Sequence, residues 1–291
     1  MAVSRLPLMH FAKYQALGND YLVCLADNVG DMLTPSAVQR ICDRHFGIGS
    51  DGILVGSTKL DENAYPLRIV NPDGTEAEKS GNGLRIFARY LWDLSVVTSQ
   101  PFFVATLGGV VRCQLDEKGR QIAVDMGTVS FLSDEIPVTG SSREVLKEVI
   151  EVNGDAIEVS AATIGNPHCV VFRDALLLDE VHRLGPALEN APCFPRRANV
   201  QFVRIVNRKT IAIEIWERGA GYTLASGSSG AAAAAVAHRL GLVDSAVTVQ
   251  MAGGELRIDI SENYEIRLQG PASKVADIEL ADEFWEGVGG D

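Results

Sequence analysis

The sequence predicts an α+β protein made of two pseudo-symmetric halves, and three observations carry that expectation. Asn71 to Gly83 (NPDGTEAEKSGNG) and Glu217 to Gly230 (ERGAGYTLASGSSG) are glycine-rich loops of one shape. Each ends in a Ser-Gly pair, Ser80-Gly81 and Ser226-Gly227, and runs into a segment of helical character. Short strand signals fill the remainder, without regular strand and helix alternation and without a GxGxxG after an early strand, which argues against a doubly wound parallel fold. Each half is expected to be a curved antiparallel or mixed sheet wrapped around a central helix, with the active site in the cleft between the halves. The expected domains are 1–127, completed by 272–291 if the last segment pairs back, and 128–271.

The elements follow in order. HFAKYQALGNDYLVCLAD alternates as strands do and is interrupted by Gly18-Asn19-Asp20. Thr34 can cap a helix whose first position suits Pro35, with Val38, Ile41 and Cys42 on its apolar face. Asp43 to Gly52 reads as a polar, glycine-rich bend leading to the strand Ile53 to Gly56, and PLRIVN as the strand that delivers the first loop. After Gly83, LRIFARYLWDLS is helical, with Leu84, Phe87, Ala88 and Leu91 on one side.

PFFVAT, VVRCQL and QIAVDMG then read as strands, and GTVSFLSDEIP as a polar connector. In the second half Ile157 to Ala162, His168 to Phe172, Asn199 to Val206 and Thr210 to Trp216 are strands, and Ala175 to Leu188 holds a short helix. AAAAAVAHRLGL from Ala231 forms helix well and is slim enough for a sheet to enclose it. VTVQ, LRIDI and YEIRLQ resume strands, and VADIELADEFW can return to the first domain.

With 291 residues the chain can bury a sizeable core. Its 38 acidic and 26 basic side chains give a net charge of −12 with no acidic tail, so nucleic acid and anionic membranes are not expected partners. The opening MAVSRLPLMHFAKYQ has neither a secretory nor a transit character, which places the chain in the cytoplasm. The five cysteines, Cys24, Cys42, Cys113, Cys169 and Cys193, are scattered among apolar neighbours and read as reduced. Without CxxC or HExxH spacing no metal site is expected.

As helix entrances, the two loops would turn the backbone N–H groups of Gly81, Asn82 and Gly83, and of Gly227, Ser228 and Ser229, toward a small anion. For either loop alone, Ser80 and Ser226 can equally be ordinary N-caps. The matched pair favours two half-sites on one molecule.

Further motifs extend along nearly the whole chain: GNDY at Gly18 to Tyr21, DRHFGIGSDG at Asp43 to Gly52, GNPHCV at Gly165 to Val170 and RRANV at Arg196 to Val200. With the two loops, these make the chain resemble diaminopimelate epimerase and, more broadly, the cofactor-independent amino acid racemases and epimerases. The resemblance implies an isomerase acting at the α-carbon of LL- and meso-2,6-diaminopimelate, a lysine and cell-wall precursor, with no cofactor. In that family one cysteine in each half removes or supplies the α-proton. Both cysteine positions are expected to be serine here, at Ser80 and Ser226, with His168 and Glu217 assisting.

The resemblance further carries Asn19, Asn71, Asn166, Asn199, Glu217 and Arg218 over as substrate ligands. The backbone of Gly81, Asn82, Gly227 and Ser228 would hold the reacting carboxylate. Chemically, Arg218 can grip a carboxylate in two-pronged fashion and Glu217 can pair with an ammonium, which suits a zwitterionic diamino dicarboxylic acid. Taken singly, Asn71, Asn166 and Asn199 fit turns or caps as well, and His168 fits a satisfied structural histidine. Enzymes of this size often form two-fold homodimers.

A serine hydroxyl ionises about five units above a thiol, a penalty of roughly 7 kcal/mol for forming the base. Three readings stay open: an epimerase with its cysteines deliberately replaced, a natural relative with slower proton transfer or elimination, and a non-catalytic amino acid binding protein. Isomerisation through a carboxylate, Glu76 or Glu78, is a further alternative.

Overall fold

The first strands are β1 (His10–Ala16), partly alternating in burial, and β2 (Asn19–Leu25), buried throughout its centre, and they pair antiparallel with Tyr14 opposite Tyr21. The computed structural model describes residues 9–285; residues 1–8, part of the opening segment read for targeting, and residues 286–291 lie outside the described residues. Two units result, one running to Val124 and resuming at Pro271, the other Asp125–Gly270.

In the first unit a short helix α1 (Ala26–Val29) precedes α2 (Pro35–Cys42), which begins where Thr34 and Pro35 predict. Thr34 Oγ1 accepts the Ala37 N–H at 3.2 Å, and Val38, Ile41 and Cys42 are buried against a cluster that includes Leu22 and Ile53. The chain continues through β3 (Ile53–Gly56), β4 (Tyr65–Val70), β5 (Glu76–Ala77), α3 (Gly81–Asp93), β6 (Phe102–Thr106), β7 (Gly109–Leu115) and β8 (Gln121–Thr128).

The second unit contains β9 (Glu148–Val152), β10 (Asp155–Thr163), β11 (Pro167–Phe172), α4 (Leu178–Glu189), β12 (Asn199–Asn207), β13 (Thr210–Glu217), β14 (Gly221–Thr223), α5 (Gly227–Arg239), β15 (Ala246–Met251), β16 (Gly254–Ile260) and β17 (Glu265–Pro271). β18 (Ser273–Glu279) returns to the first unit and pairs antiparallel with β1, His10 opposite Glu279; α6 (Asp282–Trp285) follows.

The duplication is explicit in the strand order. From β1 to β8 neighbours pair antiparallel (β1, β2), parallel (β2, β3), antiparallel (β3, β4), parallel (β4, β6), then antiparallel twice (β6, β7, β8). Starting at β10, the second unit repeats that series with β11, β12, β13, β15, β16 and β17. The first parallel step is bridged by α2 or α4, the second by α3 or α5, as a parallel connection requires. Each unit is therefore a mixed sheet with a central helix.

Each glycine-rich loop contains a strand that periodicity did not reveal. β5 folds back on β4 and β14 on β13, so the loops are hairpins that hand the chain to the helix. Such short strands lack the length to show alternation.

The central helices are more enclosed than a one-sided stripe predicts. In α3 Arg85 and Ile86 are fully buried along with Leu84, Phe87, Ala88 and Leu91, and the helix packs on β1, β2, β3, β7 and β18. In α5 every residue from Ser229 to Ala237 is buried, on β10 to β13, β15 and β16. Small residues permit the approach: a Cβ at Gly56 would collide with the Phe87 ring, and one at Gly185 would meet Trp216 Cγ at 2.6 Å. Among the described residues no helix is long and apolar enough to cross a membrane.

Candidate active site

In the first unit β4 is followed directly by Asn71, whose N–H and Nδ2 donate to Thr75 O and Thr75 Oγ1 at 2.8 and 3.0 Å. Asp73 accepts from the Thr75 hydroxyl and N–H at 2.6 and 2.9 Å, and these bonds hold its exposed carboxyl below the usual range. Asn71 thus shapes the turn into β5. In β5 Glu76 is exposed and pairs with Arg68 Nε at 3.2 Å, and Glu78 is exposed beyond it.

The helix starts at Gly81, three residues earlier than periodicity placed it, because Ser80 caps it. Ser80 Oγ accepts the Gly83 N–H at 3.0 Å and Ser80 O accepts the Leu84 N–H at 2.8 Å. Gly83 N–H is consequently occupied, and the turn of Gly81 and Asn82 remains as the helix's positive end.

Behind that turn lies a polar relay. Arg85 Nη2 donates to Asn82 Oδ1 at 2.7 Å, Asn82 Nδ2 to Asn19 Oδ1 at 3.0 Å, and Asn19 Nδ2 to Asp51 Oδ2 at 2.8 Å. Arg44 Nη2 reaches both Asp51 Oδ1 and Asp20 Oδ1 at 2.7 Å, and Lys13 Nζ stands 2.8 Å from Asp20 Oδ2. Burial alone would raise the Asp20 carboxyl, but hydrogen bonds from Arg44 and Lys13 outweigh it and hold it below the usual range. Asp43 Oδ1 caps the bend by accepting the His45 and Phe46 N–H groups, both at 2.7 Å. The DRHFGIGSDG segment is therefore the clamp that fixes Asn19.

In the second unit Ser226 caps α5 as Ser80 caps α3. Its Oγ accepts the Ser229 N–H at 3.4 Å, its carbonyl accepts the Gly230 N–H at 3.0 Å, and Ser228 Oγ lies 3.5 Å from Ser226 Oγ. Gly227 and Ser228 form the first turn.

His168 and Asn199 are cross-strand partners on β11 and β12. The His168 ring is fully buried, with Nε2 3.0 Å from Asn166 Oδ1 and Nδ1 3.1 Å from Gln201 Nε2. Gln201 Nε2 also donates to Ser229 Oγ at 3.1 Å. An amide donor on Nδ1 leaves the proton on Nε2, facing Asn166. Burial pushes the imidazole down to about 3, against the opposing hydrogen bond from Gln201 and with a smaller contribution from the charge of Arg218. His168 is thus neutral at pH 7, both nitrogens engaged by amides.

Asn199 Nδ2 donates to Pro167 O at 3.1 Å, and its Oδ1 accepts the Arg218 N–H at 3.0 Å. Arg218 Nη1 donates to Arg196 O at 3.0 Å. Glu217 closes β13 opposite Gly221. Below this hairpin the buried Glu189 carboxylate accepts from Gly219 N–H at 2.9 Å, Trp216 Nε1 at 2.9 Å and Arg197 Nη1 at 3.0 Å. Of the sequence-predicted residues, Asn19 and Asn82 meet directly in one unit; Asn166 meets His168, and Asn199 meets Arg218, in the other. Asp51, Arg85, Glu189 and Gln201 belong to these networks and escaped sequence reasoning. The DG of GSDG and the arginine after SGNG offered a signal for two of them.

A family model described as diaminopimelate epimerase matches residues 11–132 and 160–275, spanning both loops. The chain belongs to the diaminopimelate epimerase family. It is 51% identical over 277 residues to diaminopimelate epimerase 2 of a Nostoc species, covering 95% of this chain and 97% of that protein. It is 40% identical over 275 residues to the diaminopimelate epimerase of Moorella thermoacetica, covering 92% and 97%. Among solved structures, a hydroxyproline epimerase from Agrobacterium vitis superposes with a TM-score of 0.70 at 14% identity over 94% of this chain and 91% of that one. A Bacillus anthracis phenazine biosynthesis protein of the PhzF family superposes with a TM-score of 0.69 at 14% identity over 95% and 100%. These two likenesses concern the fold.

Membership in the diaminopimelate epimerase family corrects one expectation, that of a member with serine replacing both catalytic cysteines. The family match runs through both halves, and all five cysteines stand as intact free thiols, Cys24, Cys42, Cys113 and Cys169 buried and Cys193 half-buried. Burial pushes the Cys24 thiol up to about 12 and raises Cys42, Cys169 and Cys193, so these thiols are protonated at pH 7. Ser80 and Ser226 cap α3 and α5.

Proposed function

We propose that the chain interconverts LL- and meso-2,6-diaminopimelate, at the lysine and cell-wall branch point. The observation that carries this reading is the 51% identity over 95% of the chain to a protein named diaminopimelate epimerase 2. The duplicated serine-capped helices supply its chemistry. In each unit the first turn of the central helix, Gly81 and Asn82 in one and Gly227 and Ser228 in the other, is suited to a substrate carboxylate. Asn19, Asn71, Asn166, Asn199, Glu217 and Arg218 bind its remaining polar groups, Glu217 an ammonium and Arg218 a carboxylate.

In this reading one serine hydroxyl, of Ser80 or Ser226, enters ionised and takes the α-proton. The C–H electron pair moves onto the carboxylate, and the other serine returns a proton to the opposite face of the carbon. The second serine leaves ionised, so the two directions use the same pair and consume nothing. An N–H bond to each Oγ at a helix N-terminus favours the anionic oxygen. His168, through Gln201 and Ser229, and Glu217 assist. Because an unaided hydroxyl ionises reluctantly, turnover belongs at the slow end of the enzyme range.

The test is α-proton exchange in deuterated water with LL- and meso-diaminopimelate. The wild-type chain is expected to incorporate deuterium and interconvert the isomers, and Ser80→Ala and Ser226→Ala each to stop it. No exchange by the wild type overturns the substrate; unimpaired alanine variants overturn the site. We propose a cytoplasmic setting, supported by five unpaired cysteines, and a homodimer, which light scattering at the expected doubled mass would check.

A further inference from the structure

Arg85 is the largest fully buried side chain of the described structure. Its partners among the described residues are all neutral: Gly81 O at 3.2 Å, Asn82 Oδ1 at 2.7 Å and Pro271 O at 3.4 Å. A buried guanidinium normally has a carboxylate beside it, because an unpaired buried charge is costly. Here three acceptors orient the group and none neutralises it. Two of them belong to the first turn of α3, so the charge sits directly behind the end of the helix that is already positive.

Nothing in the packing of α3 demands this cation. Apart from Arg85 itself and Asn82, the helix buries only glycine and apolar residues, and the same turn of α5 carries Ala231, which is equally buried. The difference between the two helices is thus one of charge.

We propose that Arg85 is a positioning residue for epimerisation, its uncompensated charge acting through the Gly81-Asn82 turn on the substrate's α-carboxylate. This rests on the reading that the turn receives that carboxylate. When the α-proton leaves, the electron pair adds a second negative charge to the carboxylate. A fixed cation behind the turn then stabilises the transition state more than the bound substrate, as preorganised charge does in a dry site. The hydrogen bonds to Gly81 O and Asn82 Oδ1 keep the turn aimed, and Asn82 passes the constraint to Asn19.

The charge state is accessible without substrate. Burial lowers the guanidinium to about 9, which leaves it protonated at pH 7. The 13Cζ resonance of Arg85 in the ligand-free protein is therefore expected at the cationic position at pH 7; a neutral position overturns the proposal whatever the substrate proves to be.

Kinetics supply the second arm, with Arg85→Gln removing charge and Arg85→Lys retaining it. Arg85→Gln is expected to lower kcat for diaminopimelate by about tenfold or more, with a smaller rise in KM, in protein that remains folded by its amide spectrum. Arg85→Lys is expected to recover most of kcat. Equal losses in both variants, or a loss that only tracks the fraction of folded protein, assigns Arg85 to the scaffold and overturns the proposal. If Arg85→Gln does not fold, the lysine variant decides: a kcat as low as that of Ser80→Ala refutes a role for charge. Failure of wild type to process diaminopimelate removes the substrate reading as well, and is distinguished by appearing before any variant is compared.

Discussion

Asn82 donates its side-chain amide to Asn19 Oδ1 at 3.0 Å, joining the first turn of a helix to the start of a strand far away in sequence. Both ends of that bond are committed elsewhere, Asn82 Oδ1 to Arg85 and Asn19 Nδ2 to Asp51. The two asparagines can therefore adopt one orientation only. A substrate group meeting either finds a fixed amide, which costs no reorganisation on binding.

Asn82→Ala should show what that orientation is worth. It leaves one fully buried guanidinium N–H and the half-exposed Asn19 Oδ1 without these partners, a loss of about 2 to 3 kcal/mol of stability. Urea unfolding should report the loss as a lower midpoint with an unchanged slope. Asn19→Ala removes a half-exposed group and should cost less, so the two midpoints should differ in that order.

Glu189 should act on KM through a hairpin it supports from below. Its carboxylate holds Gly219 N–H, Trp216 Nε1 and Arg197, which steadies the segment carrying Glu217 and Arg218. Glu189→Gln replaces an acceptor-only group with one that must turn a donor toward a donor. KM for diaminopimelate should rise roughly five- to tenfold, with a smaller fall in kcat because Glu217 on the same segment also assists the proton transfer. A fall in kcat at constant KM would contradict this division.

These supports also mark how far the sequence could be read. The Thr34-Pro35 helix start, the strand PLRIVN and the alanine-rich helix were legible because capping, alternation and small-residue composition are local signals. The serine-capped turns were legible because they occur twice. β5 and β14 were missed for want of length, and their pairing makes hairpins of what read as open loops. Arg85 and Glu189 were missed for a different reason: a charged residue in a helical pattern reads as solvent-facing, and only the sheet closing around the helix turns it inward. Gln201 likewise reads as an ordinary strand residue until His168 is found beside it.

Packing offers an independent check at Gly185. A Cβ there would meet Trp216 Cγ at 2.6 Å, and Trp216 is itself held by Glu189 through its indole N–H. The ring cannot yield without breaking that bond. Gly185→Ala should therefore destabilise by about 1 to 3 kcal/mol despite the better helix propensity of alanine. A raised thermal midpoint would show that the contact relaxes freely.

His168 should make the protein acid-sensitive in a defined window. The unfolded chain protonates this imidazole near pH 6.5, whereas burial delays protonation of the folded chain to about pH 3. Between those values the unfolded state binds the extra proton, so stability falls as pH falls and the full contribution is lost below about pH 3. At 1.36 kcal/mol per unit the total is about 4 to 5 kcal/mol. His168→Asn removes the titrating group, so its unfolding free energy should lose less than that of the wild type between pH 6.5 and 4, although it starts lower at pH 7 because Gln201 loses its ring partner. Parallel pH dependences for the two proteins would mean that His168 protonates in place, and that its ring is open to water in a way the amide bonds at both nitrogens argue against.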